Sequence, residues 1–286
     1  MKIVFFGSTA DSILVLEKVS NIVAVVTQPP KPIGRNKIIT STPVEVWAKT
    51  HNLPALTFPT QSGKPWKYEH EQTVINSLQT LNADLLVSAS YGQKIPAETI
   101  TAARLGGLNV HPSLLPRWRG GDPVPWAILS GDHQIGVTIV TLSPSFDDGK
   151  IIAQKKIPIT EHDTSDPLRT KLFAMGAELL TQSMPDYLNG KNKGISQETE
   201  GQPYAKRFTR EDGFEAWDAL MDPDQSARIN RKFRALHPWP GVWTIWNEKR
   251  VKILEFDAAP VLVQLEGKKP VSWEQFQKAY LSPSSR

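Results

Sequence analysis

Residues 83–111 read ADLLVSASYGQKIPAETITAARLGGLNVH. Ala83–Ser88 is an apolar run of strand length, Pro96–Arg104 a helical pattern opening on proline, and Gly107–His111 a second short strand. A strand, a helix and a strand in this order form a unit whose two strands lie parallel, joined by a right-handed crossover. The same alternation extends both ways. On the N-terminal side, Lys2–Phe6 and Ile22–Thr27 read as strands and Asp11–Val19 as a helix. A further helix opens at Thr42-Pro43, with proline at its first position, and Glu69–Leu81 is another. On the C-terminal side, Pro123–Gly131 reads as a helix and Ile135–Leu142 as a strand. Lys150–Ile159 is a strand returning from the turn at Asp147–Gly149, and Asp166–Leu188 is a long helix. The pattern predicts an α/β fold, a Rossmann-like and mostly parallel sheet.

The pattern changes at NGKNKGISQETEGQ (189–202), rich in Gly, Asn, Ser and charge. Stretches of this kind mark domain boundaries. The expected organisation is a first domain over 1–189, a linker over 190–206 and a C-terminal domain over 207–286. In the last, Pro223–Leu236 reads as a helix, and Gly241–Asn247, Arg250–Phe256 and Val261–Leu265 as short strands, which predicts a small β-rich, OB-like domain. At 286 residues, the chain is long enough to bury a core without staples.

Composition excludes several chemistries. The chain holds no cysteine, so thiol catalysis and thiolate metal sites are out. The six histidines are scattered with no pair at metal-ligand spacing, so no metal is expected. FFGSTADS has one glycine where a dinucleotide fingerprint needs three, and no phosphate-binding GxxxxGK[ST] occurs. No apolar run approaches the ~18 residues of a membrane span, and the N-terminus lacks a signal-peptide core. The expectation is a soluble, cytoplasmic protein with no membrane partner. Net charge is +4, and the stretch from Tyr204 onward, with 14 Lys+Arg against 11 Asp+Glu, carries most of it.

Chemistry concentrates in 107–149. Asn109 and His111 lie two apart in a strand and therefore share a face. They sit at its C-terminal end, where open α/β sheets bind ligands. HPSLLPRWRGGDP (111–123) follows, a stiff loop rich in proline, glycine and arginine. If Ile135–Leu142 runs parallel, the turn Phe146-Asp147-Asp148-Gly149 reaches the same sheet edge. An amide, an imidazole and a carboxylate then converge, a set suited to acyl transfer to an amine. The competing reading makes Asn109 a turn cap and His111 an ordinary strand-end histidine.

LNVHPSLLPRWRGGDPVPWAILSGD (108–132), with GVTIV (136–140) and FDDGKI (146–151), resembles the folate-dependent formyltransferases. Within that superfamily, the chain looks most like the methionyl-tRNA formyltransferases. PPKPIGRNK (29–37) with STPVEVWA (41–48) resembles their tRNA-contacting insertion, and SASYGQKIP (88–96) their folate-side loop. YAKRFTREDG, HPWPG and EGKKPVSWEQF resemble their linker and C-terminal domain. Few residues lie between Phe256 and Glu266, so the C-terminal barrel is expected to be shortened.

The resemblance implies a catalytic trio of Asn109, His111 and Asp147, with Asp148 an open alternative to Asp147. It implies 10-formyltetrahydrofolate as formyl donor, held near Ser88, Ala89, Ser90, Tyr91, Ser113, Leu114, Leu115, Pro116, Ser143 and Asp147. It implies initiator methionyl-tRNA as acceptor, in translation initiation; the expected state of the chain is a monomer. Lys31, Arg35 and Lys37 are expected to meet tRNA phosphates, as are Arg207, Arg210, Arg231, Lys232 and Arg234. Bland alternatives are a solvated turn and a solubilising helix face. A second functional reading is N-formylation of a nucleotide-linked amino sugar. A third is a catalytically retired RNA- or folate-binding protein, against which the intact trio argues.

Overall fold

A computed structural model describes residues 1–34 and 36–281. In chain order, the strands are β1 (Ile3–Gly7), β2 (Ile22–Thr27), β3 (Lys31–Ile33), β4 (Ile38–Thr40), β5 (Ala55–Thr57), β6 (Thr60–Gln61) and β7 (Lys64–Tyr68). Next come β8 (Leu85–Ala89), β9 (Gly107–His111), β10 (Arg119–Gly120), β11 (Gln134–Thr141), β12 (Ile151–Pro158) and β13 (Tyr204–Ala205). The last four are β14 (Val242–Trp246), β15 (Lys249–Asp257), β16 (Ala259–Leu265) and β17 (Val271–Ser272). The helices are α1 (Ala10–Leu16), α2 (Pro43–Thr50), α3 (Glu71–Gln79), α4 (Ala97–Ala102) and α5 (Pro123–Leu129). They continue with α6 (Ser165–Leu188), α7 (Trp217–Met221), α8 (Ser226–Leu236) and α9 (Trp273–Phe276).

The chain divides into two compact units. One comprises Met1–Pro123, Gln134–Ile157 and Arg169–Ala205; the other comprises Val124–His133, Pro158–Leu168 and the chain from Lys206. In the first, a seven-stranded sheet has the order β12-β11-β9-β8-β1-β2-β5. β9, β8, β1, β2 and β5 are mutually parallel. The inner strands β1, β2 and β8 are mainly apolar because both faces of the sheet are covered, with polar residues toward the C-terminal ends of β2, β8 and β9. Ile3 and Phe5 of β1 face the core under α1, α2 and α6, whereas Val4 and Phe6 face the one that includes Val74 and Leu78 of α3.

Local signals place the ends of elements. Thr42 caps α2 by accepting from Glu45 N, with Pro43 at the first helical position, a cap worth about 1 kcal/mol. β3 lies in QPPKPIGRNK (28–37), expected as a loop; with β4 it forms a two-stranded hairpin, and β6 and β7 form another. Both hairpins follow parallel strands, β2 and β5, and so leave the same edge of the sheet.

The expectation that Ile135–Leu142 runs parallel needs correction. β11 is antiparallel to β9, with Thr138 opposite His111 and Thr141 opposite Leu108. β11 therefore ends beside the start of β9. The connection from His111 to Gln134 includes α5 and is long enough for a crossover, so its length did not decide the direction; the chain instead re-enters the sheet beside the end of β9, with Thr138 opposite His111, and runs back toward its start.

In the second unit, β14-β15-β16-β17 form an antiparallel sheet. Ile229 and Phe233 of α8, four apart, bury one helix face in a core with Val242, Val251, Val263 and Phe276.

Candidate active site

β9 presents the site. Leu108 and Val110 are buried in the core that includes Phe173 and Ala177 of α6, so alternation turns Asn109 and His111 to the opposite face. Ser88 of β8 is the backbone partner of Asn109. Beyond His111, the loop is pinned from below by Thr138. Its hydroxyl donates to Ser113 O at 2.6 Å and accepts from Leu115 N at 3.2 Å and Gln154 Nε2 at 2.9 Å. Gln154 also donates to Leu115 O, beside the cis Leu115–Pro116 bond.

Asp147 closes the constellation. Its Oδ1 accepts from Asn109 Nδ2 at 3.0 Å and lies 3.4 Å from His111 Nδ1. Its Oδ2 accepts from Gly120 N at 3.0 Å. Because β11 is antiparallel, this convergence does not come from strand polarity. The segment after β11 doubles back: Lys150 N donates to Thr141 Oγ1 and Thr141 N to Lys150 O. Gly149 makes that possible, since a Cβ there would collide with the Thr141 backbone. Asp148 points elsewhere, paired with Arg119 at 2.8 Å.

His111 is 4% exposed, and its Nε2 lies 3.0 Å from Trp118 O. A carbonyl only accepts, so this bond places the hydrogen on Nε2. Nδ1, facing the carboxylate, is then the nitrogen that takes up a proton. Ser90, Trp118 and Asp147 all have positive φ, at 49°, 63° and 54°. Left-handed backbone at such residues costs about 1–3 kcal/mol each and persists only where surrounding bonds impose it.

Of the expected donor-binding residues, Ser88, Ala89, Tyr91, Ser113 and Leu115 are buried, whereas Ser90, Leu114, Pro116 and Ser143 are partly exposed. Several are occupied internally. Ser113 Oγ donates to Arg117 O, and Ser143 Oγ to Ser145 O. Tyr91 shares a 2.7 Å hydroxyl–hydroxyl bond with Tyr68, and its carbonyl accepts from Ser8 Oγ and Gln28 Nε2. Burial pushes the Tyr91 phenol well above the usual tyrosine range, with Tyr68 adding to the shift. Gln93, on the same loop, is buried, and its Oε1 has no partner among the described residues.

The expected RNA contacts divide as well. Lys31 and Lys37 lie on the exposed β3–β4 hairpin, with Lys31 Nζ bonded to Gln28. Arg35 lies outside the described residues. Arg207 and Arg210 are exposed and Arg231 is half-buried. Lys232 and Arg234 have duties within their own unit: Lys232 pairs with Glu215 at 2.8 Å, and Arg234 bonds Asn230 and the carbonyls of Thr160 and Asp163. Sequence reading did not single out Thr138, Gln154, Arg119 or Gln197. Their roles depend on segments distant in the chain, and no local pattern signals them.

Residues 1–184 match the formyl transferase family, and residues 218–261 match the formyl transferase C-terminal domain. A methionyl-tRNA formyltransferase of Listeria welshimeri is 40% identical over 258 residues, covering 89% of this chain and 78% of that protein. The chain belongs to the methionyl-tRNA formyltransferase family of formyltransferases. A second member, from Staphylococcus epidermidis, is 37% identical over 256 residues, 88% of this chain and 78% of its own. Among solved structures, a sugar N-formyltransferase from a Shewanella species superimposes with a TM-score of 0.63 at 19% identity, covering 90% of this chain and 98% of that one. That is a likeness of fold. No helix among the described residues is long and apolar enough to cross a membrane.

Proposed function

We propose that this chain transfers the formyl group of 10-formyltetrahydrofolate to the free amino group of initiator methionyl-tRNA, as a monomer in the cytoplasm. The observation that supports this most is Asp147, whose one carboxylate reaches both Asn109 and His111 beside the sheet's C-terminal edge. Family membership supplies the acceptor. In this reading, 1–189 is the catalytic domain, 190–206 the linker and 207–286 the tRNA-binding domain.

The donor, when bound, supplies an activated one-carbon acyl group. The loop after β8 fits it: Gln93 Oε1 is a buried acceptor without a partner, suited to a ligand N–H. Ser88 to Tyr91, just before Gln93 in the chain, and Ser143 are further proposed donor contacts.

The chain's own groups then have defined tasks. The attacking amine is its own nucleophile, so no enzyme serine or thiol is required. Asn109 uses one amide N–H on Asp147 and has a second to offer the oxygen on which negative charge develops, a donor worth about 3 kcal/mol. His111 Nδ1 manages the amine's proton, and Asp147, 3.4 Å away, stabilises the imidazolium. The Trp118 carbonyl holds the ring in the required tautomer. Lys31, Arg35 and Lys37 in the first unit, and Arg207, Arg210 and Arg231 in the second, are the proposed phosphate contacts.

The deciding experiment offers the chain 10-formyltetrahydrofolate with charged initiator tRNA and, in parallel, an amino-sugar nucleotide. Formyl-methionyl-tRNA is the expected product. Formylation of the sugar nucleotide alone would overturn the reading.

A further inference from the structure

The polar stretch between residues 190 and 206 is bonded along its length to the loops that build the site. Ile195 and Ile151 exchange backbone bonds of 2.8 and 2.9 Å. Gln197 Nε2 donates to the carbonyl of Asp147 at 2.9 Å and to that of Gly149 at 2.7 Å. The carbonyl of Thr199 accepts from Arg119 Nη2 at 3.4 Å, and Nη1 of the same guanidinium pairs with Asp148. Trp118 N donates to Pro203 O and Gly121 N to Ala205 O. β13 pairs in parallel with β10, Tyr204 beside Arg119 and Ala205 beside Gly120.

One segment thus grips both pieces of chain that hold the Asp147 carboxylate. These are the turn 147–149 itself and the strand whose Gly120 N binds Oδ2. Gln197 is the side chain at the centre of this grip. Its Oε1 is buried without a partner among the described residues, so the amide is held by its NH2 alone. Reversing the amide would set its oxygen against two carbonyl oxygens, so the orientation is fixed by chemistry. The turn has no slack of its own: Asp147 is left-handed at φ 54°, and Gly149 touches the Thr141 backbone.

We propose that Gln197 is a positioning residue for the transfer reaction: by bonding the Asp147 and Gly149 carbonyls, it holds the turn that aims the Asp147 carboxylate at Asn109 and His111. The proposal rests on the reading of Asp147 as the catalytic carboxylate. A displacement of about 1 Å at a reacting group can cost about a hundredfold in rate, so a two-carbonyl clamp on this turn matters to turnover.

The test uses the full chain with Gln197→Leu and Gln197→Glu, each alone and combined with Asp147→Asn. Single-turnover rate, KM for charged tRNA and for the formyl donor, and Tm are measured. Gln197→Leu is expected to slow turnover about tenfold. Gln197→Glu is expected to slow it further, because its carboxylate faces two carbonyl oxygens. Both KM values should stay within about twofold of wild type. In the Asp147→Asn background, the same changes should cost less than about twofold, because the turn then carries no carboxylate to aim. An undiminished tenfold loss in that background would make the role merely structural and overturn the proposal. So would a KM effect in place of a rate effect, or loss of cooperative melting in both single variants. Wild-type turnover in Asp147→Asn alone would instead remove the reading of Asp147, and this proposal with it.

Discussion

Asp147 in the first unit and Glu215 in the second are carboxylates of similar exposure, 11% and 7% at the side chain. Their partners differ in kind. Glu215 receives a two-pronged bond from Arg228, 2.8 Å at each oxygen, and a third at 2.8 Å from Lys232. Burial pushes its pKa up, but the Arg228 and Lys232 hydrogen bonds and charges outweigh it and hold the carboxyl below the ordinary range. Arg228 is correspondingly held above its own. Asp147 is bonded to an amide N–H and a backbone N–H and faces an imidazole. Two permanent cations saturate a carboxylate and make it a fastener. Neutral donors and a group whose charge changes with pH leave it able to respond when a proton arrives. Shielding from water alone does not distinguish the two; the chemistry of the partners does.

Substitutions should separate the two sites. The largest expected effect is on Asp147→Asn and His111→Ala, each lowering turnover about a thousandfold, or ~4 kcal/mol in the barrier, with Tm nearly unchanged. Rapid-quench kinetics beside calorimetry checks both halves. A thousandfold loss accompanied by a collapse in Tm would make Asp147 another fastener.

Glu215→Ala should show the converse. Leaving Arg228 and Lys232 without their acceptor should destabilise the chain by about 3 kcal/mol, with turnover at 25 °C within about twofold. The pH dependence sharpens this. A carboxyl with a lowered folded pKa contributes fully above its ordinary value of 4.5 and loses that contribution as pH falls through the lower folded value. Wild-type Tm should therefore drop on acidification below pH 4.5, and Glu215→Gln should flatten that limb.

Asp148→Asn probes the neighbouring carboxylate. It breaks a pair with Arg119 in which Asp148 is 39% exposed, so the expected loss is severalfold in turnover. A loss exceeding that of Asp147→Asn would move the catalytic role by one residue.

The smallest effect is at the exposed end of the scale. Lys37→Ala, on the β3–β4 hairpin, should raise the KM for charged tRNA a fewfold and reduce its log–log salt slope by about one, with donor KM unchanged. An unchanged salt slope would remove that lysine from the RNA contact.

Much of this was legible in the sequence. β2 and β9 match the expected Ile22–Thr27 and Gly107–His111, and α6 begins one residue before the expected Asp166. β2 declares itself because burial on both faces of a sheet demands a near-continuous apolar run. Asn109 and His111 were readable as a pair because a two-residue spacing in a strand has one geometric meaning. The β3–β4 and β6–β7 hairpins were not readable. Their strands are mostly exposed, so no burial pattern marks them.

By itself, then, the sequence determined the strand–helix alternation that makes an α/β fold, the shared face of Asn109 and His111, the absence of thiol chemistry and the family resemblance. The first three follow from periodicity and residue type, which act locally; the resemblance rests on the motif stretches around residues 108–151. Only the tertiary structure decided that β11 runs antiparallel, that Asp147 and not Asp148 meets His111, and that Gln197 clamps the Asp147 turn from 50 residues away. Each of these is a hydrogen bond or strand pairing between segments far apart in the chain. Such bonds form because buried polar groups must find partners, and which partner is within reach is a property of the packed fold.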